Sequence, residues 1–245
     1  TVSPERAIPP LEGPASLVYR QAPMTPNDRT PQTSRPIDLQ TYPRRRLYEA
    51  FRHRTIPVFS ITTSVDITRL RQVTTSHQLR FFSCLSFLIA QAANAVPEFR
   101  HRIVDDQLVE FECVHPSLTV LLNNDTFGFA DATYTGTFAT DYRAMLQAIE
   151  QAKMAPNQDT TAGRESRIFL TNLPWFRFSS IEHPYEASYA SIPIISTGQF
   201  HEDAGRIMLP VGIQVHHGLV DGLHVGRFVQ RLSAACHEPE TLLIS

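Results

Sequence analysis

Residues 209–228 read LPVGIQVHHGLVDGLHVGRF, and this stretch decides the fold. The run from 206 to 216 (RIMLPVGIQVH) is apolar enough to be a buried strand. From about Leu223 to Cys236 the apolar residues Val225, Phe228, Val229 and Leu232 recur at helical spacing, so a helix follows. Between the two lies His216-His217-Gly218-Leu219-Val220-Asp221-Gly222. An imidazole leaving the end of a buried strand, followed four residues later by a carboxylate and a glycine, fits a positioned base at a strand-to-helix turn. Gly222 is expected to take the backbone angles of that turn. Two blander readings stand beside it. Adjacent histidines can be a satisfied buried pair, and His217, Asp221 and His224 lie at helical offsets that suit a metal, although no further carboxylate or cysteine completes a ligand set nearby.

Working outward, residues 44–53 (RRRLYEAFRH) predict a helix, and Phe59, Ile61, Thr63 and Val65 alternate with polar residues at the period of a half-buried strand. Residues 81–96 are apolar on most faces and end at Pro97, which predicts a buried helix. Strands are expected near 107–112, 117–122, 167–171 and 192–199. Tyr142, Met145, Ile149 and Ala152 mark another helix. Interleaved strands and helices give the α/β class, a two-layer arrangement in which helices cover a mixed sheet.

Eight of the 18 prolines fall within residues 1–36, a segment without periodicity, which reads as an extended arm ahead of a folded domain at 37–245. The 22 Lys+Arg nearly balance the 24 Asp+Glu, for a net charge of -2, and this argues against nucleic acid or an anionic membrane as partner. Lys153 is the one lysine, so arginine is the expected partner of any phosphate. No run approaches a membrane-spanning length and no apolar leader opens the chain, so a soluble, cytoplasmic protein is expected. Three widely spaced cysteines (Cys84, Cys113, Cys236) predict buried, reduced thiols.

The string His-His-x-x-x-Asp-Gly in this setting resembles the chloramphenicol acetyltransferase family. So do Ile37-Asp38-Leu39 with PRRRLYEAFRHR after it, SVDIT at 64–68, Val96-Pro97-Glu98-Phe99-Arg100, VHPSLTV at 114–120, Leu173-Pro174-Trp175 and Ile192-Pro193-Ile194. These motifs keep their order from about residue 36 to 238. Carnitine acyltransferases, peptide-synthetase condensation domains and dihydrolipoyl transacetylase cores share the histidine motif. The first two are larger chains and nothing here resembles a lipoyl domain, so the small, self-associating branch is preferred. The resemblance implies a homotrimer with active sites at subunit interfaces, the histidine of one chain facing a pocket formed largely by the next.

It also implies roles. His217 would be the general base, a contribution typically of ~10²–10⁴-fold, taking a proton from an acceptor hydroxyl that attacks a thioester directly, without an acyl-enzyme. His216 would be structural. Thr171 stands where the family places an oxyanion-binding serine, and Asn172 replaces a smaller alanine. Asp221 and Arg44 correspond to a structural ion pair. Acetyl-CoA or another acyl-CoA would be a co-substrate rather than a tightly bound cofactor. Arg80 falls where a lysine meets its 3'-phosphate, Trp175 lies along the pantetheine, and Gln199, followed by Phe200, replaces a second lysine. The acceptor pocket would contain Phe51 (for tyrosine), Phe59, Leu121 (for phenylalanine), His183 (for an apolar residue), Ile194 and Ser196 (for threonine). These changes leave fold and base intact and point to a small-molecule acceptor other than chloramphenicol, in secondary metabolism. Three readings follow: a CoA-dependent acyltransferase, chloramphenicol resistance included; the same fold turned to an acyl-carrier-bound donor or to a cyclisation or condensation step; and a non-catalytic binding or scaffold protein.

Overall fold

A computed structural model describes residues 33–158 and 163–244. Residues 1–32 of the expected arm lie outside this range, while Ser34–Pro36, its last three residues, form strand β1. The chain continues through α1 (Arg45–Phe51), β2 (Val58–Asp66), α2 (Thr68–Ser76), α3 (Phe81–Asn94), β3 (His101–Val104), β4 (Gln107–Phe111), β5 (His115–Leu121) and β6 (Phe127–Asp131). Then come α4 (Phe138–Met154), β7 (Arg167–Leu173), β8 (Ile194–Gly198), β9 (His201–Asp203), β10 (Arg206–His216), α5 (Gly222–His237) and α6 (Glu240–Leu243).

The main sheet runs β2-β10-β8-β7-β5-β6, with β9 paired to β10, and a small sheet runs β1-β4-β3. Pairing is mixed: β5–β7 and β7–β8 are parallel, and the other neighbours are antiparallel. One face carries Leu118, Leu170, Ile195, Ile213 and Val215, which join Leu85, Leu88 and Ile89 of α3 and Phe228 and Leu232 of α5 in a single apolar core. The α3 sequence is apolar around most of its circumference because it is nearly enclosed, as its ten buried residues attest. The fold is therefore α/β, a mixed sheet with helices packed on it, as the alternation of periods predicts.

The segment between β7 and β8 lies on the opposite face. There a Cβ at Gly212 would come within 2.2 Å of Ile181, so only glycine lets this segment approach the middle of β10. A buried arginine ties β3 to the start of β7: Arg102 donates to the carbonyls of Phe99, His101, Glu165 and Arg167 at 2.6–2.8 Å.

Several elements are absent from the sequence reading, namely β1, α2, β3, β6, β9 and α6, each of nine residues or fewer. β8 begins at Ile194 rather than Ile192, because Pro193 has no N–H to offer a ladder and uses only its carbonyl, which accepts from Phe169 N at 3.0 Å. Cys84 and Cys236 are buried free thiols, pushed up to about 12 by burial, whereas Cys113 is half-buried.

Candidate active site

The turn after β10 is built from its own polar groups. His216 is buried, and its Nδ1 accepts the Gly218 N–H at 3.1 Å. Burial lowers its pKa to about 4, so near neutral pH it is an uncharged acceptor that fixes the turn. A Cβ on Gly218 would sit 3.0 Å from the His216 ring, which explains this glycine by contact. Gly222 is different. It is the first residue of α5, it avoids the left-handed region, and nothing lies near where a Cβ would be. The bend falls on residues 217–221 instead, which corrects the expectation that Gly222 supplies it.

His217 is half-buried. Its N–H donates to Pro57 O at 2.8 Å, and its ring is held between Phe51 and Phe59, with centroid separations of 4.2 and 4.6 Å. Nδ1 lies 3.4 Å from Val220 O. A proton on Nδ1 directed at that carbonyl leaves the Nε2 lone pair free to accept one, the tautomer a base needs. The Phe51 ring is itself covered by the Arg54 guanidinium, 4.2 Å away.

Asp221 caps α5, accepting the Leu223 N–H at 3.0 Å, while its own N–H donates to His224 Nδ1 at 3.0 Å. Its carboxylate pairs with Arg44, whose other terminal nitrogen donates to His217 O at 3.2 Å. Burial pushes the Asp221 carboxyl up, but the hydrogen bond and charge of Arg44 outweigh it and hold the group below the usual carboxylate range. Asp221 thus reaches His217 through Arg44 and the backbone, not through the imidazole. Arg45, its neighbour in the arginine triplet, bonds Glu49 at 2.7 Å on the surface.

A second group lies on the opposite face of the sheet. Thr171, Ser196, Gly212 and Thr62 stand in register across β7, β8, β10 and β2. The Ser196 Oγ is 2.6 Å from His183 Nε2, and the His183 N–H donates to Gln214 Oε1 at 2.8 Å. Burial lowers the His183 pKa. Ile194 is buried beside Val58, Tyr185 and Gln214. His217 follows Gly212 by five positions, roughly 17 Å at ~3.3 Å per residue, so Thr171 and His217 of one chain are apart.

A third corner gathers Arg80, Gln199 and Trp175 by way of their neighbours. Phe81, directly after Arg80, packs edge-on to Phe200 with centroids 6.3 Å apart, and Arg71 lies over both rings at 5.0 and 4.8 Å. Gln199 N donates to Phe176 O at 2.9 Å, next to Trp175, which is 43% exposed. Arg80 is exposed and pairs with Glu150 at 3.3 Å. Leu121 stands apart from all three groups. It is exposed at the end of β5, paired with Phe127 of the edge strand β6.

Sequence reading did not assign Glu98, whose Oε1 lies 3.4 Å from His224 Nε2. The cap that His224 completes is Asp-x-x-His, outside the usual Ser/Thr-x-x-Glu/Gln signature, and this hid it. Among the described residues no group of three or more His, Cys, Asp and Glu is arranged to hold a metal ion, and no helix is long and apolar enough to cross a membrane.

A mixed sheet covered by helices, with a histidine-bearing turn after its longest strand, is shared with solved acyltransferases. A chloramphenicol acetyltransferase structure superposes with a TM-score of 0.71 at 25% identity, covering 82% of this chain and 99% of the other. The dihydrolipoamide acetyltransferase of Azotobacter vinelandii shares the fold, with a TM-score of 0.61 at 17% identity over 81% of this chain and 90% of that one. The family model "Chloramphenicol acetyltransferase" matches residues 33–233. Chloramphenicol acetyltransferase 3 of Escherichia coli is 31% identical, covering 82% of this chain and 96% of its own length. The enzyme of Bacillus pumilus is 33% identical over 71% and 80% respectively. The chain belongs to the chloramphenicol acetyltransferase family, and it is an acyltransferase.

Proposed function

We propose that this protein moves an acetyl or other acyl group from coenzyme A to a hydroxyl or amine of a small molecule, with His217 as general base. The observation that carries the reading is the His217 imidazole, pinned between two phenylalanines with Nδ1 turned to the Val220 carbonyl and Nε2 left to accept a proton. Nε2 takes the acceptor's proton, the freed oxygen or nitrogen attacks the thioester carbonyl, and the tetrahedral oxyanion forms. Thr171 donates its hydroxyl to that oxyanion, an interaction whose loss typically costs ~10²–10³ in rate. Collapse expels the thiolate, which recovers the proton from the imidazolium, and no acyl-enzyme intervenes.

The separation of Thr171 from His217 within one chain supports a site completed by a second copy, in a homotrimer, with the Thr171, Ser196 and His183 face of one subunit opposite the histidine of the next. The Arg80, Gln199 and Trp175 corner holds the coenzyme. Phe51 without a phenolic hydroxyl, and an imidazole at 183, support an acceptor other than chloramphenicol, one belonging to secondary metabolism. The protein works in the cytoplasm, and by its sequence residues 1–36 are a proline-rich segment ahead of the catalytic domain, of which Ser34–Pro36 pair with β4 as β1.

The test is thiol release from acetyl-CoA with a panel of hydroxyl and amine acceptors, chloramphenicol included, for the wild type and His217→Ala. Turnover with a panel member that the substitution abolishes is the expected result. Turnover confined to a thioester loaded on an acyl carrier protein would move the donor assignment to the carrier. Full activity in His217→Ala would overturn the mechanism.

A further inference from the structure

Behind the His217 turn lies a chain of polar contacts reaching a residue far away in sequence. His224 is buried, and its Nδ1 accepts the backbone N–H of Asp221 at 3.0 Å. The Asp221 carboxylate also stands 3.1 Å from Nδ1, but a nitrogen that accepts the backbone N–H carries no proton, so with that bond made the proton of neutral His224 sits on Nε2. Burial favours that neutral form. The carboxylate of Glu98 stands 3.4 Å from Nε2, where it favours the Nε2–H tautomer over its alternative. The short helical turn Pro97–Arg100 that follows α3 delivers Glu98 to this place, and its side chain is only 18% exposed. The chain then continues forward. With its N–H satisfied, Asp221 keeps its cap on Leu223 and its carboxylate on Arg44, and Arg44 donates to His217 O.

We propose that Glu98 and His224 are positioning residues for the His217 imidazole: Glu98 sets the tautomer of His224, His224 fixes Asp221, and Asp221 aims Arg44 at the carbonyl of His217. Neither residue touches the reacting atoms. The inference rests on the proposed His217 reaction for its kinetic consequence, but the tautomer it requires is observable without turnover.

The test uses the full chain with selectively ¹⁵N-labelled histidine, and six forms of it: wild type, Glu98→Ala, Glu98→Gln, His224→Ala, His224→Gln and, for assignment, His217→Ala. Gln at 98 retains an oxygen to accept from Nε2–H, and Gln at 224 retains one to accept the Asp221 N–H. Imidazole nitrogen shifts of the wild type are expected to place the His224 proton on Nε2. Glu98→Ala should disturb that pattern, and both alanine variants should move the His217 signals, assigned by their loss in His217→Ala. In thiol-release assays with acetyl-CoA, kcat is expected to fall about 10-fold for each alanine variant, the scale of one lost charge-assisted contact, with KM for both substrates nearly unchanged. Most of that loss should return in the glutamine variants, which also guard against variants that fail to fold. A wild-type His224 proton on Nδ1, or His217 signals indifferent to all four substitutions, would overturn the proposal. Absence of wild-type thioester turnover beside the expected nitrogen shifts would instead overturn the proposed reaction at His217 and leave the positioning chain standing.

Discussion

Replacing Asp221 tests whether the ion pair with Arg44 organises the His217 turn. The two side chains are 12% and 27% exposed for Arg44 and Asp221, so the pair is largely withdrawn from water while solvent still reaches the carboxylate. Asp221→Ala leaves the Arg44 guanidinium without its anion. Breaking a fully buried pair costs ~3–5 kcal/mol, and the partial exposure places this one near the lower figure. The alanine also removes the α5 cap on Leu223, a further ~1 kcal/mol. Asp221→Asn separates the two contributions, because asparagine caps a helix as well as aspartate but carries no charge; it should cost about 1 kcal/mol less than alanine. The Arg44→Met/Asp221→Ala double variant strands no charge, so it should be more stable than the two single losses added together, by about 2 kcal/mol. Urea melts at fixed protein concentration measure all four stabilities, and thiol release gives kcat beside them. Arg44→Met should lower kcat even where stability recovers, since the donor to His217 O at 3.2 Å is gone. Strict additivity in the cycle, or Asp221→Asn melting with the wild type, would refute this account of the turn.

Acid should loosen the protein in a defined window. Burial lowers the pKa of His101 and of His216 to about 4, so as pH falls below ~6.5 the unfolded chain takes up two protons that the folded chain refuses. Stability drops from pH ~6.5 to ~4 by roughly 3 kcal/mol per histidine and then levels in these two groups, and urea midpoints independent of pH across that range would contradict it. Arg102→Leu leaves four backbone carbonyls without their donor and should cost ~3 kcal/mol or more, read as a loss in urea midpoint. Phe51→Ala removes one wall of the His217 clamp; kcat should fall by at least ~5-fold, the scale of ~1 kcal/mol for an aromatic contact, and an unchanged kcat would deny the clamp a role.

Long elements with one dominant period were legible in the sequence: α3, α4, α5 and β10 lie within a few residues of where their apolar spacing puts them. The missing elements were too short or too polar to carry a period. α2, Thr-Arg-Leu-Arg-Gln-Val-Thr-Thr-Ser, is rich in β-branched residues and is held by burial of Leu70 and Val73, which no local propensity announces. β1 hides inside a proline-rich stretch because an edge strand tolerates Pro36. The site divides the same way. His217, Asp221 and Gly222 are adjacent in sequence, so their turn could be recognised from one string, but Glu98 meets His224 only because the fold folds α3 back against α5. Gly222 looked like a turn residue and is a helical one, since the bend is satisfied four residues earlier by the His216 ring and the Gly218 N–H.

Among the described residues the longest ladder joins β2 to β10, from Asp66 against Met208 to Val58 against His216. It brings together stretches synthesised about 150 residues apart, the kind of non-local closure that slows folding. Phe59 on the early strand is in place long before the ribosome has made the imidazole it will hold. A nascent chain can therefore collapse around α3 and the parallel strands before His217 exists, and a message truncated ahead of the His217 codon yields most of a sheet without the proposed base.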